Sequence, residues 1–142
     1  MKILIVNGVN LNMTGKRGPI YGEQSLDDIN ASVSALAESL GAQTEFYQSN
    51  LEGEIVDRLQ KLDYDALVIN PGAYSHYSIA VADALAYVKK PKIEVHLTNI
   101  FAREEFRRES VTARNCDGVI SGFGSDGYCL AVEYLVWKQA EN

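Results

Sequence analysis

Several features that assign a chain to a particular class of protein are missing from this sequence. It has two cysteines, Cys116 and Cys129, and they form no Cys-x-x-Cys motif. A zinc site or a redox pair is therefore not indicated, and we expect free thiols in a reducing cytosol. No apolar run approaches the roughly 18 residues of a membrane helix. The apolar segment from Lys2 to Asn7 lacks a cleavage site after it, so we interpret it as a strand and not as a signal peptide.

Positive charge is also scarce. Thirteen Lys and Arg residues against nineteen Asp and Glu residues give a formal net charge of −6, which disfavours a nucleic-acid surface because such a surface needs a basic face. Repeats, low-complexity tracts and Pro/Ser-rich linkers are absent as well. A single hydrophobic core serves about 100–150 residues. We therefore expect residues 1–142 to form one domain, located in the cytoplasm and without a membrane partner.

The sequence instead alternates short β-branched runs with longer helical patterns. Helical periodicity covers residues 26–40, 51–62, 79–88 and 125–140, and a charged segment from Ala102 to Glu109 is also predicted to be helical. This order predicts an α/β flavodoxin-like three-layer sandwich with a five-stranded, doubly wound parallel sheet. The predicted strands are Lys2 to Asn7, Gln43 to Gln48, Asp65 to Asn70, Lys92 to Leu97 and Gly118 to Ser121.

Polar residues follow three of these strands. Ligands of such folds bind outside the carboxyl ends of the strands, at the point where the strand order reverses. The connection after the first strand is rich in Gly and polar residues and much longer than the usual two to six residues, so we interpret residues 8–24 as a lid loop. The third and fourth strands are followed by the segments 70–76 and 96–99, and then by Arg103, Arg107 and Arg108.

Familiar sites fit this edge of the sheet poorly. A P-loop is excluded because six residues, not four, separate Gly8 from Gly15. A phosphoacceptor domain needs aspartates where this chain has Asn7 and Asn70, and a flavin site needs more hydroxyls than Thr14 offers. His76, Asp83, Glu94 and His96 carry ligand atoms, but no third ligand lies close to the pair on the fourth strand, so no metal is expected. The remaining Asn, Tyr, His and Arg side chains suit proton transfer on an anionic substrate.

Four blocks of residues resemble the type II 3-dehydroquinate dehydratases, and the match runs over essentially the whole chain. One block alone is a weak signal, whereas four in the right order are specific. The blocks are Asn7-Gly8-x-Asn10-Leu11-Asn12 with Arg17 and Tyr21-Gly22; Ile69-Asn70-Pro71-Gly72-Ala73-Tyr74-x-His76; Ile93-Glu94-Val95-His96-Leu97-x-Asn99 with Ala102-Arg103-Glu104-Glu105-Phe106-Arg107; and Gly122-Phe123-Gly124-x-x-Gly127-Tyr128.

The resemblance implies an activity and catalytic roles. The activity is the cofactor-free anti elimination of water from 3-dehydroquinate, through an enolate, to give 3-dehydroshikimate. Tyr21 as tyrosinate removes the proton beside the ketone, and Arg17 stabilises that tyrosinate. His96, oriented by Glu94, protonates the departing hydroxyl, while Asn10 holds water at the enolate. The pKa of a free tyrosine is near 10, so its ionisation at neutral pH costs about 4 kcal/mol, and a guanidinium that lowers the pKa by roughly 1–3 units recovers most of this cost.

The resemblance also implies how the substrate is bound and how the chain assembles. The backbone at Leu97 and Thr98 binds the substrate carboxylate, and no metal takes part. A homododecamer, a tetramer of trimers, is implied for the assembly. Whether the reaction serves aromatic biosynthesis or quinate breakdown is left open. The expected substrate-binding residues are Asn70, His76, Asp83, Leu97, Thr98 and Arg107.

The lid loop departs from the family pattern. Arg17 and Tyr21 are four residues apart where the family has five, so counting back from Tyr21 puts Lys16 in the place of the arginine. The ungapped match from residue 7 to residue 15 favours Arg17. Val9, Gly18 and Tyr77 also replace the usual Pro, acidic residue and Thr. The short loop leaves two alternatives open, namely a non-catalytic anion-binding homologue with a degenerate lid, and a lyase for another cyclic hydroxy-ketone acid.

Overall fold

Five short strands pair in parallel at the centre of the molecule, which is described here over residues 1–142 by a computed structural model. The strand order is β2-β1-β3-β4-β5. The predicted α/β doubly wound sheet is therefore confirmed. The strands are β1 (Lys2–Asn7), β2 (Gln43–Gln48), β3 (Ala66–Asn70), β4 (Lys92–His96) and β5 (Gly118–Ser121), and the helices are α1 (Leu26–Ser39), α2 (Glu52–Gln60), α3 (Ile79–Tyr87) and α4 (Asp126–Ala140).

Helices cover both faces of the sheet. On β1, Ile3 and Ile5 pack into the core beneath α1 and α4, whereas Leu4 and Val6 pack into the core beneath α2 and α3. All four side chains are fully buried, which explains why the strand is a continuous apolar run and does not alternate with polar residues. Burial of each such side chain stabilises the fold by about 1.5–3 kcal/mol. None of the helices has the length and apolar character needed to cross a bilayer.

The start of α1 follows the sequence pattern closely. Ser25 Oγ accepts a hydrogen bond from the backbone N–H of Asp28, and the Asp28 carboxylate accepts one from the backbone N–H of Ser25. This reciprocal capping box satisfies two N–H groups that the first turn of a helix leaves without partners. It fixes the point at which the lid loop, residues 8–24, ends and regular structure resumes.

The predicted helix from Ala102 to Glu109 is wrong. The segment forms two separate 3₁₀ turns, Ile100–Ala102 and Glu105–Arg107. Asn99 caps the first turn by accepting a hydrogen bond from the N–H of Phe101 at 3.1 Å, and Arg103 then takes an extended conformation with φ −108° and ψ −158°. The extended residue interrupts the helical geometry, so the helical charge pattern does not continue into an α-helix.

The loops that follow β1 and β3 approach each other very closely. The Gly8 N–H donates to the carbonyl of Asn70 at 2.8 Å. A Cβ atom at Gly8 would lie 2.3 Å from the carbonyl oxygen of Pro71, and one at Gly72 would lie 2.6 Å from that of Val9. Only glycine permits this backbone contact at both positions. The contact brings together the two strand ends at which the strand order reverses.

We expect Gly8→Ala to destabilise the protein, because its methyl group would collide with the Pro71 carbonyl. Overpacking of this kind costs about 1–3 kcal/mol, or roughly 3–10 °C in Tm for a chain of this size. Gly53→Ala is the matched control, since a Cβ there meets nothing within 4 Å and alanine favours helix. Thermal unfolding followed by circular dichroism measures both. Equal Tm values for the two variants would contradict the proposed close contact.

Candidate active site

A pocket opens beside the carboxyl ends of β1, β3 and β4. Its walls come from the lid loop, the segment after β3, and the segment from the end of β4 through the two 3₁₀ turns. Arg103, which was not among the predicted site residues, also lines it. The predicted residues that line the pocket are Asn10, Arg17, Tyr21, Asn70, His76, His96, Leu97, Thr98 and Arg107.

Tyr21 brings the lid loop into contact with two arginines. It ends a 3₁₀ turn, Pro19–Tyr21, that lies between two glycines of positive φ. Arg103 Nη2 donates a hydrogen bond to the Tyr21 hydroxyl at 2.6 Å, and the Arg17 guanidinium carbon lies 3.9 Å from the centre of the ring. Positive charge at these positions stabilises negative charge that develops on the phenol oxygen. Lys16 lines a different surface pocket, beside Asn12 and Asp27.

Arg103 is the residue that sequence reasoning missed. It was noted among the arginines of the expected charged helix, but no role was given to it. In the structure its extended backbone directs the guanidinium to Tyr21, and its Nη1 also lies 3.4 Å from Thr98 Oγ1. The neighbouring Arg107 lines the same pocket and pairs with Glu104 at 2.5 Å. This hydrogen bond holds the pKa of Glu104 below its ordinary value.

His96 and Glu94 form a buried pair at the end of β4. His96 Nε2 lies 2.8 Å from Glu94 Oε2, and the side chains are 5% and 0% exposed, respectively. Glu94 does not reach the pocket itself, because it lies behind His96 on the same face of the strand. A carboxylate at one ring nitrogen fixes the tautomer of an imidazole. Nδ1 of His96 has no hydrogen-bond partner in the chain, so this atom is available for a reacting group.

His76 stacks near His96, with ring centres 6.4 Å apart and planes 20° apart. Its Nδ1 lies 2.8 Å from the backbone carbonyl of Glu109. Because a carbonyl oxygen only accepts, Nδ1 must be the protonated nitrogen when the ring is neutral. The Nε2 atom of His76 is then available to accept a hydrogen bond.

Asn70 is held by the side chain of Tyr128 on α4. The buried hydroxyl of Tyr128 accepts from Asn70 Nδ2 at 2.9 Å and donates to Asn7 Oδ1 at 2.5 Å. Burial raises the pKa of Tyr128, so the hydroxyl keeps its proton and its role as donor. Asn70 Oδ1 accepts from the N–H of Gly72 at 3.0 Å. These bonds fix the orientation of the Asn70 amide, and nothing in the local sequence of Tyr128 or Asn7 indicated this role.

Backbone groups supply further donors. The N–H groups of Leu97 and Thr98 have no acceptor within the chain, and both residues line the pocket. Asn10 takes a left-handed conformation with φ 68°, which asparagine tolerates well, and its N–H donates to Asn50 Oδ1 at 2.9 Å. The adjacent free N–H groups of Leu97 and Thr98 are suited to bind a carboxylate.

Asp83 is the one predicted substrate-binding residue that the structure does not bring to the pocket. It lies on the exposed side of α3, and it is absent from the pocket walls. No cluster of three or more His, Cys, Asp or Glu side chains capable of holding a metal ion is present in the chain. The pocket therefore combines a phenol beside two cations, an imidazole beside a carboxylate, and amide donors, a set suited to acid–base chemistry on an anion.

Comparison with known proteins points to one family. Residues 1–136 match the family described as "Dehydroquinase class II". The chain is 58% identical to the 3-dehydroquinate dehydratase of Thermotoga neapolitana over 136 residues, 95% of this chain and 94% of that protein, and 56% identical to that of Thermotoga maritima over 99% of each. The crystal structure of the type II dehydroquinase from Butyrivibrio crossotus superimposes with a TM-score of 0.93 at 46% identity, covering 95% of this chain and 97% of that one.

Proposed function

The chain belongs to the class II dehydroquinase family, and from that membership we propose how its pocket removes water from 3-dehydroquinate. Its activity is that of a type II 3-dehydroquinate dehydratase, a hydro-lyase. One observation supports the assignment of residues most strongly. Tyr21 with Arg103, a base with its cation, lines the same pocket as His96, an acid that is paired behind the pocket wall with the carboxylate of Glu94. Nothing in the site favours the non-catalytic alternative, since the short lid loop still delivers Tyr21 to the pocket.

Tyr21 is the base in this mechanism. Its ionised oxygen takes the proton from the carbon beside the ketone, and the electrons of that bond move to the carbonyl oxygen as an enolate. Arg103 stabilises the ionised phenol through the hydrogen bond of 2.6 Å, and Arg17 does so through its position over the ring. Asn10 and Asn70 hold water and hydroxyl groups around the enolate. Donors that are already in place for the developing charge lower the barrier without reorganisation.

His96 is the acid. The enolate collapses to form the new double bond, the carbon–oxygen bond breaks, and the departing hydroxyl takes a proton from His96 to leave as water. Glu94 stabilises the imidazolium that gives up this proton. The free N–H groups of Leu97 and Thr98 bind the substrate carboxylate, and His76 and Arg107 bind its hydroxyls. Residues 1–142 act as one catalytic domain in which the lid loop closes over the substrate.

The proposed assembly is a homododecamer built from trimers. Asp83 does not line the pocket of its own chain, so a substrate-binding role for it requires a second copy. β5 is an edge strand of the sheet, and large apolar side chains near that edge are exposed, as edges that pair with other chains often are. These side chains are Phe101, Phe106, Val119, Phe123 and Leu130. The unpaired thiols of Cys116 and Cys129 favour a cytoplasmic location.

We expect the purified protein to convert 3-dehydroquinate to 3-dehydroshikimate without added metal or nucleotide, because the protein's own side chains supply both proton transfers. The conjugated enone of the product gives an ultraviolet absorbance that rises with time. His96→Ala is the control and should be nearly inactive. Loss of the activity with a chelator and its return with a divalent ion would show that this mechanism is wrong.

Arg103 and Arg17, and not Lys16, are expected to serve Tyr21. Arg103→Ala and Arg17→Ala should each raise the barrier by about 2–4 kcal/mol, as for other lost charge-stabilising donors. Arg103→Ala should be the more damaging, since Arg103 contacts the phenol oxygen itself. Lys16→Ala, the matched control from the same loop, should have little effect, and Tyr21→Phe should be severely impaired. The measurement is kcat at saturating substrate. A crippled Lys16→Ala variant beside an active Arg17→Ala variant would shift the loop register by one residue.

The native particle should be far larger than the 15.7 kDa of one chain. Light scattering coupled to gel filtration gives the mass directly. Mixing inactive Asp83→Ala with inactive His96→Ala protein under conditions that exchange subunits should restore part of the activity, because some pockets then receive both native residues. A monomer with full activity would contradict the proposed assembly.

A further inference from the structure

Glu94 is a buried carboxylate with no arginine or lysine partner. Its side chain is 0% exposed, and its one ionisable partner is His96. A charged group in such a place is costly unless hydrogen bonds replace the lost water. The chain supplies two of these bonds from a single short segment, residues 110–112, that lies outside the pocket walls. Ser110 Oγ donates to Glu94 Oε2 at 2.8 Å, and Thr112 Oγ1 donates to Glu94 Oε1.

The two hydroxyls are themselves held in place. Ser110 Oγ accepts from the N–H of Ala113 at 3.1 Å, so its proton is free to point to the carboxylate. Thr112 is fully buried, and the N–H of Val111 between them donates to the carbonyl of Ser75 at 2.8 Å. The segment is thereby attached to the loop that carries His76. Ser110 Oγ and Thr112 Oγ1 lie 3.1 Å apart, and they approach different oxygens of Glu94.

In this arrangement the Glu94 carboxylate can act only as a hydrogen-bond acceptor toward His96. Thr112 occupies Oε1 and Ser110 shares Oε2 with the imidazole, so Glu94 accepts from three donors. An ionised carboxylate is an acceptor only, and it satisfies all three. His96 Nε2 must then carry a hydrogen toward Glu94, which leaves Nδ1 as the nitrogen that exchanges a proton in the pocket.

We propose that Ser110 and Thr112 are positioning residues for the acid His96. Their hydroxyls fix the Glu94 carboxylate in its orientation and acceptor role, and Glu94 in turn fixes the ring and tautomer of His96. The inference rests on the proposed function, in which His96 protonates the departing hydroxyl. Ser110 and Thr112 lie outside the pocket walls, so we expect them to affect turnover and not substrate binding.

Two variants at Thr112 separate the effect of losing the hydroxyl from the effect of changing the shape of the side chain. Thr112→Val keeps the shape and removes the donor, whereas Thr112→Ser keeps the donor. We expect Thr112→Val to lower kcat by about 10-fold to 100-fold, the loss seen when hydrogen bonds that orient the histidine ligands of metal sites are removed, with KM close to that of the native protein. Thr112→Ser should recover most of kcat, and Ser110→Ala should behave like Thr112→Val. Thr44→Val is the control, because the Thr44 hydroxyl contacts only Ser34 on the far side of the sheet.

A second readout distinguishes positioning from general damage. The chain has two histidines, so ¹⁵N-histidine labelling gives two imidazoles, and the spectrum of His96→Ala identifies the signals of His96. Thr112→Val and Ser110→Ala should shift the nitrogen resonances of His96 in the free protein, while Thr44→Val and Thr112→Ser should not. Because no turnover is needed, this readout tests the inference even if the native protein fails to dehydrate 3-dehydroquinate, a failure that would count against the proposed function alone.

The inference is overturned if both hydroxyl deletions keep the native kcat, if kcat falls while the His96 resonances stay unchanged, or if Thr112→Ser is as impaired as Thr112→Val. If Thr112→Val does not fold, Ser110→Ala, whose side chain is only partly buried, carries both measurements.

Discussion

The hydrogen bonds of one buried hydroxyl hold the two sides of the pocket in register. Tyr128 on α4 joins Asn7 at the end of β1 to Asn70 at the end of β3. The two asparagines are direct neighbours in the sheet, and Gly8 and Gly72 let the following loops touch. The lid loop starts from one of these strand ends and the His76 loop from the other. A shift of either strand would therefore move Tyr21, the proposed base, relative to the proposed substrate-binding groups Asn70 and His76, which makes this junction the constraint on which the rest of the site depends.

The sequence predicts features whose causes are local. The apolar run of β1 and the helical periodicity that begins at residue 26 depend on residues a few positions apart, and both appear in the structure as expected. The partners of Tyr128 are 58 and 121 positions away, and Thr112 is 18 positions from Glu94. A hydrogen bond between segments so far apart has no signature in a single sequence, which is why these supporting residues were not predicted although the pocket residues were.

Arg103 illustrates a different limit. Its charge pattern with Glu104 and Arg107 suits an exposed helix, and a helix would have placed Arg103 and Arg107 side by side one turn apart. The local competition from the Asn99 cap and the extended Arg103 backbone breaks that helix into two turns. Periodicity cannot detect such a break, because the residue types on both sides of it are unchanged. The broken geometry is nevertheless what lets Arg103 reach Tyr21 while Arg107 lines the pocket separately.

The two halves of the site differ in how their positions are determined. His96 and Glu94 lie on a central strand, almost without exposed surface, and Glu94 accepts hydrogen bonds from buried Thr112, buried His96 and partly buried Ser110. Tyr21 lies on a short turn between two glycines of positive φ, and its side chain contacts two guanidinium groups that hold it in the pocket. Such contacts fix the position of the residue at the end of a loop, but they do not fix how many residues the loop contains before it. The spacing of four residues between Arg17 and Tyr21, one fewer than in the family pattern, is therefore compatible with Tyr21 as the proposed base, whereas the loss of one residue in β4 would turn His96 and Glu94 to the opposite face of the sheet.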